Sequence, residues 1–314
     1  MPRIETALTR LLAIEHPILL APMGSAAGGK LAAAVTTAGG LGMIGSGQAS
    51  AATIRQELGE AGNIRVGIGF ITWALERNPA ALDVALDARP AAVMLSFGDP
   101  TPFTGRIKAA GCRIICQVQT LRQAEEAAAA GADIILAQGR DAGGHSGTTR
   151  CTMGLVPAVV DAVAPIPVVA AGGIADGRGA AGISTGTRLT ASREPLWDQA
   201  MKEAALSAGG DQTEQTRVFD IVRGSPWPAI YPGRALRNAF SGRWHGRESE
   251  LAADQQAQEK AYLATAPDDF ATRVVWAGES VDLVKDIPAA SAIIERVIAQ
   301  AVATLSDGAT LIRS

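Results

Sequence analysis

The chain has 314 residues, 47% of them hydrophobic and 19% charged, with a formal net charge of −3. That is ordinary globular composition, which excludes a disordered chain, and the scattered cations offer no footprint for nucleic acid or an acidic membrane surface. Length allows one large domain or two ordinary ones, and an α/β barrel with a small appendage fits it best.

The opening residues lack a cleavable signal pattern, and no uninterrupted apolar run approaches the ~18 residues of a membrane helix. Cys112, Cys116 and Cys151 are odd in number, and the first two share a face of an apolar strand-like run. They read as core thiols in a reducing compartment, not as a disulfide framework. The expectation is a soluble cytoplasmic protein without membrane or nucleic-acid partners, its oligomeric state left open.

In chain order, short apolar runs bounded by Gly and Pro predict strands at Pro17–Ala21, Gly40–Ile44, Ile64–Phe70, Ala92–Phe97, Cys112–Val118, Asp133–Ala137, Pro167–Ala171 and Gly182–Thr187. Between them, helical spacing predicts helices over Gly29–Ala38, Ser50–Gly59, Pro79–Ala88, Thr104–Ala110, Leu121–Ala130 and Leu155–Ala164, with Gly111 and Gly131 placed to stop two of them. Eight near-continuous apolar strands alternating with helices predict an α/β fold, a (β/α)8 TIM barrel with active groups at the carboxyl ends of the strands. After a helix over Pro195–Ala208 the composition shifts toward Trp, Pro and Arg. Residues 209–286 therefore read as an appended small helical lid or substrate subdomain, while 1–208 and 287–314 form the barrel, closed by an amphipathic helix at Ala289–Leu305.

Of the three histidines, His145 alone follows a strand end within glycines, in the run Gly139–Gly147 reading GRDAGGHSG. An imidazole titrates near pH ~6.5, which suits it to proton transfer. Asp141, four residues earlier, reads either as the group that orients this ring or as a loop anchor. Gly172 and Gly173 end the seventh strand and Gly186 and Thr187 the eighth, the two loops where such barrels bind phosphate through backbone N–H groups. Arg188 reads as added charge there or as a surface arginine. Pro22-Met23-Gly24-Ser25 at the first strand end can face a flat ring, Gly67–Phe70 at the third can give close backbone approach, and Gln117 at the fifth can bond a ring carbonyl or nitrogen. No metal-ligand spacing, Rossmann fingerprint or Walker sequence is present, and Ser146 beside His145 makes no triad.

With APMGS, AGGLGMIGSG, GRDAGGHSG, AAGGIADGRG, GTR, YPGRALRN and VVWAGE in place, the chain resembles the nitronate monooxygenase (2-nitropropane dioxygenase-like) family from about Ile14 to Ile294. The resemblance implies FMN across the strand ends. Its phosphate would lie near Gly172, Gly173, Gly186 and Thr187, and its ring near Ala21, Met23, Gly24, Gln117 and the Gly143–Gly144 turn, with Asp141 counted among the cofactor-binding residues. It also implies His145 as the general base, and oxidation of nitroalkanes or alkyl nitronates by molecular oxygen to a carbonyl compound and nitrite. Beside this stand an FMN-dependent NAD(P)H reductase of enoyl thioesters or quinones, and a flavin- or phosphate-binding barrel with impaired or no turnover. Trp227, Tyr231 and Trp244 read as pocket-closing residues or as interdomain packing.

Two departures from the family pattern matter. Gly69 stands where many members have asparagine, removing one flavin hydrogen bond. Only ten residues, Gly172 to Ala181, join the seventh strand to the eighth, against at least ~10–12 for a full crossover with its helix. This shortened seventh βα unit predicts a thin outer layer, weaker FMN retention, lower stability and an eighth strand displaced in register. Inserting a helix there should raise both the unfolding midpoint and the flavin affinity; unchanged values in both would refute the expectation.

Overall fold

The structure is a computed structural model that describes residues 3–176 and 182–311. Among them, strands form at Ile18–Leu20 (β1), Met43–Gly47 (β2), Gly67–Ile71 (β3), Ala92–Ser96 (β4), Arg113–Val118 (β5), Ile134–Gln138 (β6), Gly144–His145 (β7), Val168–Ala171 (β8), Ile183–Thr185 (β9), Thr213–Thr216 (β10) and Gly233–Leu236 (β11). Eight of these make one parallel sheet in the order β1-β9-β8-β6-β5-β4-β3-β2. A parallel bridge between Leu19 and Leu41 brings its ends together. Leu20 N donates to Leu41 O at 3.0 Å and Leu41 N to Ile18 O at 2.9 Å, so the sheet shuts into the expected (β/α)8 barrel.

The reason these runs form strands is burial on both faces. Every residue of β4 and of β6 is buried, as a parallel strand between a packed barrel interior and a helical outer layer requires. Three helices start where a side chain satisfies an end N–H: Ser50 accepts from Thr53 N, Thr120 from Gln123 N and Asp198 from Met201 N. Gly111 and Gly131, at φ +72° and +87°, follow the ends of the helices Thr101–Ala109 and Leu121–Ala129. The long helix Ala290–Thr310 returns to the barrel and buries Ile293, Ile294, Val297 and Ile298 beside helix Gly29–Thr37. Cys112 and Cys116 are core groups; burial pushes the Cys116 thiol up to about 12, which leaves it inert, whereas Cys151 is exposed.

The appended region is not purely helical. Its helices Val218–Val222, Ala239–Trp244, Glu248–Ala253 and Gln255–Ala264 surround an apolar cluster of Val218, Phe219, Val222, Ala235, Trp244, Leu251 and Tyr262. It also contributes β10 and β11, an antiparallel pair joined on its other side by β7 from the barrel rim. β10 reads Thr-Glu-Gln-Thr, a polar run without the apolar alternation that marks a strand. Its strand character comes from the partner and not from its own residues.

The shortened connection includes residues 177–181, which lie outside the described residues, so the expected thin layer there stands as a proposal. β9 itself is seated between β8 and β1, pairing Ile183 with both Ala170 and Ile18. No helix among the described residues is long and apolar enough to cross a membrane.

Gly69 has a steric cause. A Cβ built there would stand 2.3 Å from Pro22 Cβ and 2.5 Å from Pro22 Cγ, so the first loop, which starts Ala21-Pro22, occupies the space a side chain would need. Replacing Gly69 by Ala should overpack this contact and cost about 1–3 kcal/mol, read as a lower urea midpoint, whereas Pro22→Gly, which removes both contacting carbons, should make the added Gly69→Ala cost much less than it does in the wild-type background. An unchanged midpoint in the single variant would contradict the packing.

Candidate functional site

The carboxyl ends of the barrel strands open into one cavity of about 490 Å³. Part of its wall comes from residues 21–26, 46–49 and 69–71, at the ends of β1, β2 and β3. One flank is built by Gln117, Gln138 and the turn after β6, and the other by Ala171–Ile174 and Gly186-Thr187 after β8 and β9. Gly172 and Gly173 hold φ of +108° and +67°, a region L side chains rarely adopt, so the chain can turn back on itself beside the ligand space. Glycine is needed again where the turn after β6 meets the appended region: a Cβ on Gly143 would stand 2.5 Å from Gly278 N, and one on Gly278 would stand 2.8 Å from Gly143 N.

A relay of amides positions His145. Gln117 and Gln119 each donate through Nε2 to Gln138 Oε1 at 3.0 Å, and Gln138 Nε2 donates to the His145 carbonyl at 3.1 Å. On its other side β7 pairs with β11, His145 opposite Gly233 and Gly144 opposite Arg234. The imidazole then has three neighbours. Its Nε2 lies 2.9 Å from Oδ2 of buried Asp220. Its face stacks on Trp227, with centroids 3.5 Å apart and planes 9° from parallel, and Trp276 stands tilted at 5.3 Å. Arg223 donates from Nη2 to the other Asp220 oxygen at 3.3 Å and from Nε to Phe219 O at 2.7 Å.

Of the residues expected at the site, Ala21, Met23, Gly24, Gln117, Gly143, Gly144, His145, Gly172, Gly173, Gly186 and Thr187 all wall this one cavity. Asp141 does not. Its carboxylate accepts from Thr152 N at 3.1 Å and Thr152 Oγ1 at 2.9 Å, behind Gly172 and Gly173, where it anchors two loops to each other. The carboxylate that meets the imidazole is Asp220, 75 positions from it in the chain. Arg188 is neither a cavity cation nor a surface group: it is buried, paired to Asp286 at 2.5 Å, and it donates to Ala191 O and Asp286 O. Thr187 faces the cavity while its Oγ1 accepts from Gly278 N at 3.0 Å. Ser146 Oγ accepts from Gln215 Nε2 at 2.9 Å and has no part in a triad.

The other histidines lie elsewhere. Burial lowers the pKa of His16, and His245 is nearest Glu248, at 3.9 Å. Trp227 walls the cavity. Tyr231 instead packs on Phe97 and accepts from Gln123, and Trp244 belongs to the appended apolar cluster. The unforeseen site residues are Asp220, Gln138, Trp276 and Gly278. VVWAGE was a visible motif, but its contacts with the site arise only from the fold. Among the described residues no group of His, Cys, Asp and Glu is arranged to hold a metal.

This donor set fits a flavin that carries a phosphate. Gly172, Gly173 and Gly186 leave backbone free to approach a phosphate. Gln117, with its Nε2 on Gln138, keeps an amide oxygen for a ring N–H. Among the described residues the wall includes one guanidinium, Arg223, and no carboxylate, so nothing on it repels an anion.

Comparison with known proteins agrees. The family model described as nitronate monooxygenase matches residues 5–67 and 63–300. A Mycobacterium tuberculosis relative, (3aS,4S,5R,7aS)-5-hydroxy-7a-methyl-1-oxo-octahydro-1H-indene-4-carboxyl-CoA dehydrogenase, is 31% identical over 99% of each chain. A nitronate monooxygenase of Neurospora crassa is 30% identical, covering 90% of this chain and 89% of its own. The solved structure of FabK from Thermotoga maritima superposes with a TM-score of 0.85 at 30% identity, over 98% of this chain and 100% of that one. Matched almost end to end, the chain belongs to the nitronate monooxygenase family of flavin-dependent oxidoreductases.

Proposed function

We propose that the protein is an FMN-dependent oxidase of alkyl nitronates, and of nitroalkanes that it first deprotonates, using molecular oxygen and releasing a carbonyl compound and nitrite. The observation that carries this reading is the shared rim: the His145 imidazole and the glycine loops of β8 and β9 wall the same cavity. A nitronate is an anion, and the cationic, carboxylate-free wall favours it.

Gly172, Gly173, Gly186 and Thr187 would hold the FMN phosphate, and Ala21, Met23, Gly24, Gln117 and the Gly143–Gly144 turn would hold the ring. Bound FMN supplies electron-accepting chemistry that no side chain provides. The chain supplies the rest. His145 takes the α-proton of a neutral nitroalkane, turning it into the nitronate and becoming imidazolium. Trp227 stacked on that ring and Asp220 at 2.9 Å from Nε2 hold it in place for the transfer. Trp227, Trp276 and Phe97 narrow the mouth and limit water around the reacting carbon.

His145→Asn separates the base from the rest of the machinery. Turnover of neutral nitroalkane should fall by about 10²–10⁴-fold, while preformed nitronate, which needs no deprotonation, should be oxidised at close to the original rate. Equal loss on both substrates in steady-state assays would reject the base assignment.

A further inference from the structure

A neutral imidazole carries a single ring proton, on one nitrogen or the other, so the partner of one ring nitrogen decides which nitrogen is left basic. We infer that Asp220 keeps the proton of neutral His145 on Nε2, so that Nδ1 is the atom that accepts the substrate proton. This rests on the base role proposed above and goes beyond it by naming the atom and the positioning residue that selects it.

Three observations carry the inference. First, the His145 backbone is fixed without Asp220, by pairing with Gly233 and by the Gln138 amide. The side-chain contact at 2.9 Å therefore orients the ring alone. Second, stacking on Trp227 at 9° fixes the plane of the imidazole. The freedom left is a half-turn about Cβ–Cγ, which keeps the plane but exchanges the edge presented to Asp220, and the hydrogen bond to Nε2 decides between the two. Third, among the described residues Asp220 meets the His145 ring at Oδ2 and the Arg223 guanidinium at Oδ1. A carboxylate offers only acceptor oxygens, and with Oδ1 accepting from Arg223 and Oδ2 facing the ring, Nε2 must be the donor. Asp141, the only other carboxylate near this loop in sequence, is held by Thr152 and leaves the role to Asp220.

Arg223 gives the test its direction. In Asp220→Asn the guanidinium still donates to the oxygen it holds now, which turns the new amide N–H toward Nε2 and drives the proton to Nδ1. The measurement is the ¹⁵N spectrum of the imidazoles in the full-length protein, His145 being identified by the signal that His145→Asn removes. The expected wild-type result is the Nε2–H tautomer for neutral His145, inverted to Nδ1–H in Asp220→Asn. In parallel, Asp220→Asn should lose about 10²–10⁴-fold in neutral-nitroalkane turnover and keep turnover of preformed nitronate. A wild-type Nδ1–H tautomer overturns the inference, as does Asp220→Asn turning over nitroalkane at the wild-type rate. Should the variant not fold, the wild-type spectrum decides by itself. Should the wild-type enzyme oxidise neither nitroalkane nor nitronate, the nitronate reading falls, while the tautomer still settles the part Asp220 plays.

Discussion

Two backbone pairings, His145 with Gly233 and Gly144 with Arg234, are the constraint on which the site depends. They convert a loop at the mouth of the barrel into an edge strand of the appended sheet, so the rim and the region above it become one structure. Arg234 secures the junction: buried, it donates to Arg140 O at 3.2 Å and Thr213 Oγ1 at 3.2 Å and pairs with Glu279 at 2.9 Å. Gly143 and Gly278 allow the two backbones to meet at the same place. Without this seam the imidazole would ride on a flexible glycine loop. With it, Asp220, Trp227 and Trp276 from the appended region reach the barrel's active rim.

The distribution of charge follows the same logic. Carboxylates near the cavity are kept off its wall: Asp141 is spent on Thr152 behind the glycine loop, and Asp220 faces His145 and Arg223. Among the described residues the ligand space therefore meets backbone, amides, aromatic faces and one guanidinium. Such a wall suits a phosphate-bearing cofactor with an anionic or electron-rich second ligand. Its relatives include one named as a CoA dehydrogenase and one named as a nitronate monooxygenase, as expected of a fold that hosts more than one chemistry.

Much of this was legible in the sequence, for physical reasons that can be named. The barrel strands were visible because residues such as Val93–Leu95 and Ile134–Leu136 are buried on both faces and so must be continuously apolar. His145 and Gly172-Gly173 stood out because Gly punctuates strand ends where ligands bind. Asp220 was hidden because nothing local links it to a histidine 75 residues earlier; sequence offered Asp141 as ring partner or loop anchor alike, and the fold brings the distant carboxylate to the ring. Arg188 likewise reads as a cation beside a phosphate loop, yet its side chain turns away to Asp286, near the start of the last helix. β10 was invisible because its polar residues carry no periodic signal, and Gly278 because a close backbone contact has no signature until both partners are placed.

On the function proposed above, a flavin and a nitronate meet on the His145 rim. Anaerobic mixing of the FMN-loaded protein with propyl nitronate and, separately, with NADH, followed by visible absorption, tests this most directly. Rapid bleaching of the flavin band by the nitronate, with the band persisting under NADH, is the predicted result; bleaching by NADH with none by the nitronate would contradict it.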